Sequence, residues 1–487
     1  MRLGIVLATI LLPSGQAALA AGEESDLLPD TPAGRVFRAF VAAYNDGSRA
    51  EIATFVAEHY SPAADVVAKT DDWLELRCRY GPLRVHGVSI DEDRDLEMWM
   101  YGTVTRAWIA IELILDDAEH VRAVGLLQGE EPASAPRIEM PETELPDHLD
   151  RYLGEMTEAG YFAGTVRVSR MGHLVYEGAF GLASQEDDVP MRIDTRLQLA
   201  SVTKVFTGVA IAQLAAQGKL SLGDPIGTYI PEYPPDIGAQ VTIRHLLTHT
   251  SGIELDEIPA FNDAKRRAET SAELLEAHLA HIDSLRVDGQ FELPHRFDYT
   301  NEGYDLAGII VERVSGKSLL QYFTDDILTP AGMSDTGWYP ARSFDESIAL
   351  GYTHYEYDDD FSEQEVPNNY VLARSLFGSS GLYSTVRDLD EFADALFRTD
   401  RLLTPAMRDS VVSPRVSRGP GENQGYGVEL LTTKSGFRSI GHNGGNRGIS
   451  AEFRYYPASE YCVVVLSSKR TIAVVVSNYI RDALGLN

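Results

Sequence analysis

The chain has 487 residues, 44% of them apolar, and a formal net charge of −31. That length exceeds what one hydrophobic core supports and predicts two or three domains. The acidic surface excludes nucleic acid and anionic membranes as natural partners, and it serves solubility in a salty medium.

Residues 2–20 combine a basic start, an apolar run at 3–12, Pro13 and the small-residue site Ala18-Leu19-Ala20, which describes a secretory signal removed near residue 21. No cysteine follows to take a lipid anchor, and no later apolar run is long enough to span a bilayer, so a soluble periplasmic or secreted protein is expected. The two cysteines, Cys78 and Cys462, fall in different expected domains. They can pair in an oxidising compartment, but two separate buried thiols are the simpler expectation.

Asp30-Thr31-Pro32 reads as a helix start, with Val36, Phe37, Phe40, Val41 and Tyr44 on one stripe. Asn45-Asp46-Gly47 turns the chain, and Ser48-Arg49-Ala50-Glu51 has the form of a capping box opening a second helix with Ile52, Phe55 and Val56 inward. Strands are expected at 83–90, 96–101, 107–115 and 121–127, separated by the acidic turns Asp91-Glu92-Asp93 and Asp116-Asp117. Two helices followed by a meander predict a small α+β domain over 30–129. In pattern alone it resembles the cystatin-like modules that accompany secreted hydrolases. His59, His86 and His120 are scattered through it and read as surface or core residues.

Residues 130–144 have linker composition, and a second domain is expected over 145–487. It begins with a helix containing Leu153 and Met156, then a hairpin with arms at 165–169 and 174–178 around Met171-Gly172. Val202, Val205, Phe206, Val209, Ile211 and Leu214 recur at helical spacing until Gly218, which places Ser201 at the mouth of a buried helix. Residues 220–231 are irregular, and the polar stretch 253–290 reads as a rim or lid. Late strands at 436–442, 449–456 and 461–467 precede a helix at 472–484. The hairpin and the late strands are expected to join one antiparallel sheet, with the middle of the chain as an inserted helical subdomain.

Three short motifs carry chemistry. Ser201 and Lys204 lie three apart on one helix face, so hydroxyl and amine can share a hydrogen bond. An amine accepts a serine proton only when neutral, and burial together with the positive helix start disfavours the ammonium. In Tyr299-Thr300-Asn301 the phenol can act as phenolate or proton relay, and the amide can hold a substrate amide or the lysine. In His442-Asn443-Gly444-Gly445, on an expected edge strand, the glycines let a substrate approach the backbone.

In the order S-x-x-K, Y-x-N, H-x-G the motifs resemble the serine β-lactamase-like hydrolases: class C β-lactamases, penicillin-binding D-peptidases and family VIII esterases. The resemblance extends over residues 150–487 through Phe180-Gly181, Arg196-Leu197-Gln198-Leu199-Ala200, Gln217-Gly218-Lys219-Leu220-Ser221, the run 244–252 and Gly381-Leu382-Tyr383-Ser384-Thr385. It implies an α+β fold, an antiparallel sheet flanked by helices. It further implies that Ser201 attacks a carbonyl, that Lys204 and Tyr299 move its proton, that Asn301 holds the array, and that backbone N–H groups of Ser201 and Gly445 form the oxyanion hole. The chain departs from β-lactamases where they carry Lys-Thr-Gly: His442-Asn443-Gly444 puts a largely neutral imidazole in place of a fixed cation. That is similar to the esterases and D-amino-acid peptidases and argues against efficient β-lactam hydrolysis. Arg447 offers a cation nearby, which keeps peptide-like substrates open. His295 stands where the family has glycine and reads as loop variation.

Other signals are weaker. His245 and His249 lie four apart without an acidic third ligand, His278 and His281 read as a solvated helix face, and Asp358-Asp359-Asp360 lacks the alternating spacing of a calcium loop. No metal or cofactor is expected. The expected activity is hydrolysis of a small-molecule ester through an acyl-enzyme on Ser201. D-peptide cleavage or weak β-lactamase activity with the same residues is the alternative, and a catalytically silent binding module is the alternative of another class.

Overall fold

The computed structural model describes residues 27–486 without 129–131, 133–134, 136–137, 287–290, 294–295, 341–344, 357–360 and 369–373. The expected signal, His295 and the acidic run 358–360 lie outside the described residues. By its internal contacts the chain divides into two units. The first takes in Met1–Pro141, Arg151–Tyr161 and Asn478–Gly485, the second Glu142–Asp150, Phe162–Ser477 and Leu486–Asn487. The division therefore crosses the sequence rather than falling at one linker.

In the first unit, α1 (Pro32–Asp46) starts where Thr31 accepts the Gly34 N–H and ends at Gly47, whose φ of 79° only glycine adopts cheaply. Ser48 caps α2 (Arg49–His59) by accepting the Glu51 N–H at 3.3 Å. A third helix follows, α3 (Val66–Tyr80), capped by Asp65, where the sequence reading expected two. Its inward residues Thr70, Trp73, Leu74 and Tyr80 do repeat helically, but Lys69, Asp71, Asp72 and Glu75 between them blur the pattern. The strands β1 (Leu83–Glu92), β2 (Asp95–Gly102), β3 (Trp108–Leu115) and β4 (Val121–Gln128) form an antiparallel meander in chain order. Cys462 is buried as expected, whereas Cys78 is exposed.

The second unit is built on a sheet. A lead-in helix, α4 (Leu145–Glu158), whose residues from Arg151 onward belong to the first unit, precedes the hairpin β5 (Gly164–Arg170) and β6 (His173–Phe180), which turns through Met171 and Gly172, both at positive φ. The buried helix α5 (Thr203–Ala216) comes next, then α6 (Pro259–Arg267), α7 (Ser271–His281) and α8 (Glu302–Ser315). The late strands are β7 (Val416–Gly419), β8 (Glu422–Gln424), β9 (Glu429–Thr432), β10 (Arg438–Asn446), β11 (Ile449–Tyr456) and β12 (Tyr461–Ser467), with α9 (Ile472–Ala483) last, its residues from Asn478 onward belonging to the first unit. Among the described residues eight strands join one sheet in the order β7-β8-β9-β10-β11-β12-β5-β6, every neighbouring pair antiparallel. The expected hairpin and late strands are all there. The strands β7 to β9 were not expected, being too short for an alternating pattern to show.

The site is positioned by α5, whose residues from Thr203 to Ala212 are all buried. Phe206 stacks on Phe392 at 4.3 Å, and Phe392 meets Phe453 of β11 at 5.8 Å, which ties the helix to the sheet. Each such buried aromatic contributes about 1.5–3 kcal/mol. A Cβ on Gly208 would come within 2.3 Å of the Tyr426 carbonyl oxygen, so glycine is what lets this chain segment lie against the helix. No described helix is long and apolar enough to cross a membrane.

Candidate active site

Ser201 sits in a single 3-10 turn, Ala200–Val202, directly ahead of α5. Ala200 has φ 44°, a left-handed conformation that costs a residue with a Cβ of order 1 kcal/mol and is held here by its surroundings. One such constraint is Gly444 of β10: a Cβ there would meet the Leu199 carbonyl oxygen at 2.2 Å and the Ser201 nitrogen at 3.0 Å. Glycine at this position lets the strand run against the serine turn.

Lys204, one residue into α5, has no exposed surface. Its Nζ lies 2.9 Å from Ser201 Oγ, 2.8 Å from Asn301 Oδ1 and 3.1 Å from the Ser379 carbonyl oxygen. Burial lowers this amine to about 7; Asp305 opposes that shift and Lys265 reinforces it. The Tyr299 hydroxyl donates to Ser201 Oγ at 2.9 Å, and Lys204 Nζ lies 5.0 Å from the centre of the Tyr299 ring. Tyr299 is 39% accessible, and desolvation of its hydroxyl raises the phenol well above its ordinary range. Of the two expected states, the phenol is thus the resting one, suited to relaying a proton. Such a constellation can take a proton from a serine and return it to a leaving group.

His442 is buried on β10, where burial lowers its imidazole to about 4 and Glu429 opposes the shift. Nδ1 donates to the Asn443 carbonyl, and Nε2 is without a hydrogen-bond partner among the described residues. Glu429 itself pairs with Arg454 and, at 2.6 Å, with Arg418. The strand is not an edge strand as expected, for it lies between β9 and β11. Yet β9 is short, and its pairing with β10 ends at Glu429 opposite Gly441, so among the described residues His442, Gly444 and Gly445 occupy a stretch without a strand partner on that side. Arg447 leans on the Tyr355 ring at 4.9 Å and donates to the Glu356 carbonyl at 3.4 Å.

Several residues at the site escaped the sequence reading. His249 stacks on Tyr299 at 4.3 Å, and its Nδ1 accepts the Thr300 N–H at 3.1 Å, while His245 caps its own helix through Thr242, so the two do not act as a pair. Asp256 accepts from Asn301 Nδ2 at 2.7 Å. Glu302 and Asp305 are buried in the first turn of α8, and those two carboxyls following Y-x-N were the legible signal. Of the expected solvated pair, His278 is instead fully buried, its Nδ1 3.1 Å from the Tyr233 hydroxyl, because α7 turns that face inward.

An antiparallel sheet, a helical subdomain and a serine–lysine pair at the foot of a buried helix define the class as a serine hydrolase with a β-lactamase-like fold. The β-lactamase family model matches residues 149–486, and the chain belongs to that family. It is similar to a penicillin-binding protein of Bacillus subtilis (strain 168), 30% identical over 66% of this chain and 71% of that one. Esterase EstB of Burkholderia gladioli is 30% identical over 58% of this chain and 79% of its own length. A solved penicillin-binding protein from Bacillus halodurans superimposes with a TM-score of 0.59 at 27% identity, covering 67% of this chain and 98% of that one.

Proposed function

We propose that the protein is an exported hydrolase that cleaves short carboxylic esters through an acyl-enzyme on Ser201. The observation that carries the reading is the buried Lys204 amine, lowered to about 7 and 2.9 Å from Ser201 Oγ. A neutral amine there takes the hydroxyl proton as Oγ bonds to the ester carbonyl carbon. The proton then passes, by way of Tyr299, to the departing alkoxide as its C–O bond breaks. Water repeats the sequence, releasing the acid and restoring Ser201. Asn301 holds Lys204, and backbone N–H groups of Ser201 and Gly445 stabilise the oxyanion, each such donor worth about 10²–10³ in rate.

Ester selectivity rests on His442. An imidazole lowered to about 4 carries no charge at neutral pH and gives a substrate carboxylate no cation to pair with. One observation favours a second reading, D-peptide cleavage: the unpaired stretch of β10 beyond Gly441 can accept an extended peptide as an added strand. Export rests on the pattern at residues 2–20 and is tested by the N-terminus of the mature protein.

The deciding assay compares wild type and Ser201→Ala on p-nitrophenyl butyrate, a D-alanyl peptide and a chromogenic cephalosporin, with mass spectrometry for an adduct. Ester turnover that vanishes in the variant, with little cephalosporin cleavage, is expected. Faster turnover of the D-alanyl peptide moves the assignment to the second reading. An adduct that never clears, or neither turnover nor adduct with any of the three compounds, refutes hydrolysis and leaves a binding role.

A further inference from the structure

Beside the serine–lysine pair lies a charge cluster that none of the three motifs contains. Lys265, on α6, keeps 15% of its side chain accessible; its Nζ lies 2.7 Å from Asp305 Oδ2 and 3.7 Å from Asp256 Oδ1. Each carboxylate leads to a different acceptor of Lys204. Asp305 Oδ1 accepts the Ser379 N–H at 3.2 Å, and the carbonyl of Ser379 accepts from Lys204 Nζ at 3.1 Å. Asp256 Oδ2 accepts from Asn301 Nδ2 at 2.7 Å, and Asn301 Oδ1 accepts from Lys204 Nζ at 2.8 Å. Two arms therefore start on one lysine and close on the other.

We propose that Lys265 is a positioning residue for the reaction: a resident cation that anchors both arms and balances Asp256 and Asp305, so that these carboxylates do not fix a proton on Lys204. The inference rests on Lys204 acting as the base toward Ser201. The other groups facing Lys204 leave this balance intact. Tyr299 and Tyr304 are phenols whose burial raises them, and His249 and His442 are imidazoles whose burial lowers them, so all four are neutral at pH 7. Burial likewise raises Glu302 far above the carboxylate range, and the neighbouring Asp256 adds to the rise. His278 faces Lys265 from α7 and is also kept neutral by burial. What remains is two carboxylates against one cation, and removing the cation leaves both acting on the Lys204 amine.

The test is the pH profile of acylation by p-nitrophenyl butyrate in Lys265→Met, Lys265→Arg and the charge-balanced double variant Lys265→Met/Asp305→Asn. In Lys265→Met the acid limb moves up by about one unit or more, an approximately tenfold loss at pH 6 that is recovered near pH 10. Lys265→Arg keeps the limb near its wild-type position, and the double variant moves it back. A purely structural role would lower the rate at all pH values without moving the limb, and that result overturns the proposal. Lys204→Ala separates the two readings: activity that survives it refutes Lys204 as the base, whereas activity lost in it beside an unmoved Lys265→Met limb refutes only the role of Lys265. Should Lys265→Met fail to fold, ε-13C-lysine NMR of the wild type decides, since a Lys265 that loses its charge below pH 9 refutes the balance.

Discussion

Lys204 owes its proton affinity to burial, against the pull of the carboxylates around it. With the amine lowered to about 7, the fraction able to take the Ser201 proton grows as pH rises through that value. The expected profile of kcat/KM for an ester is therefore a limb that rises tenfold per unit below pH 7 and flattens above it, read by initial rates between pH 5 and 9. His442, lowered to about 4, stays neutral across that range and adds no inflection. A profile that is flat from pH 5 upward excludes Lys204 as the base. That Ser201 and Lys204 act together could be inferred from spacing, because positions three apart on a helix share a face, whereas Tyr299 was joined to them only by the family resemblance. The protonation state of Tyr299 was not legible, because it depends on which groups the fold packs around the hydroxyl.

At the scale of elements, α6 and α7 show where periodicity misleads. His278 and His281 lie three apart and read as a solvated face, yet α7 buries His278 against Phe261 at 5.2 Å and Tyr233. Folding keeps this imidazole neutral down to about 4, while the unfolded chain protonates it near 6.5. Its contribution to stability is thus complete above pH 6.5 and is lost as pH falls from 6.5 toward 4, by up to about 3 kcal/mol. His278→Gln, which keeps a hydrogen-bonding group without the titration, should show a shallower fall of denaturant-unfolding free energy between pH 6.5 and 4.5. Parallel curves for the two proteins would disprove the assignment. The helix α3 and the strands β7 to β9 escaped notice for a related reason: charged residues or shortness hide the period, and only packing reveals the inward face.

At the scale of the molecule, the first unit gathers pieces far apart in sequence. Arg106 donates to the Tyr479 hydroxyl and pairs with Glu155, both at 2.7 Å, and lies 5.0 Å and 5.5 Å from the centres of the Tyr152 and Tyr479 rings. Arg106→Ala should cost about 1–3 kcal/mol, a fall of several degrees in the calorimetric transition of that unit, whereas an unchanged transition would show the cluster to be incidental. Local order along the chain determined the helix caps, the strand runs and the three motifs, since each depends on residues within one turn or one pleat of each other. The tertiary structure alone decided which charged groups meet Lys204. Asp256, Lys265 and Ser379 come from segments apart from the one that carries Asn301 and Asp305, and their influence on a proton depends on distance and burial, neither of which is written in the order of residues.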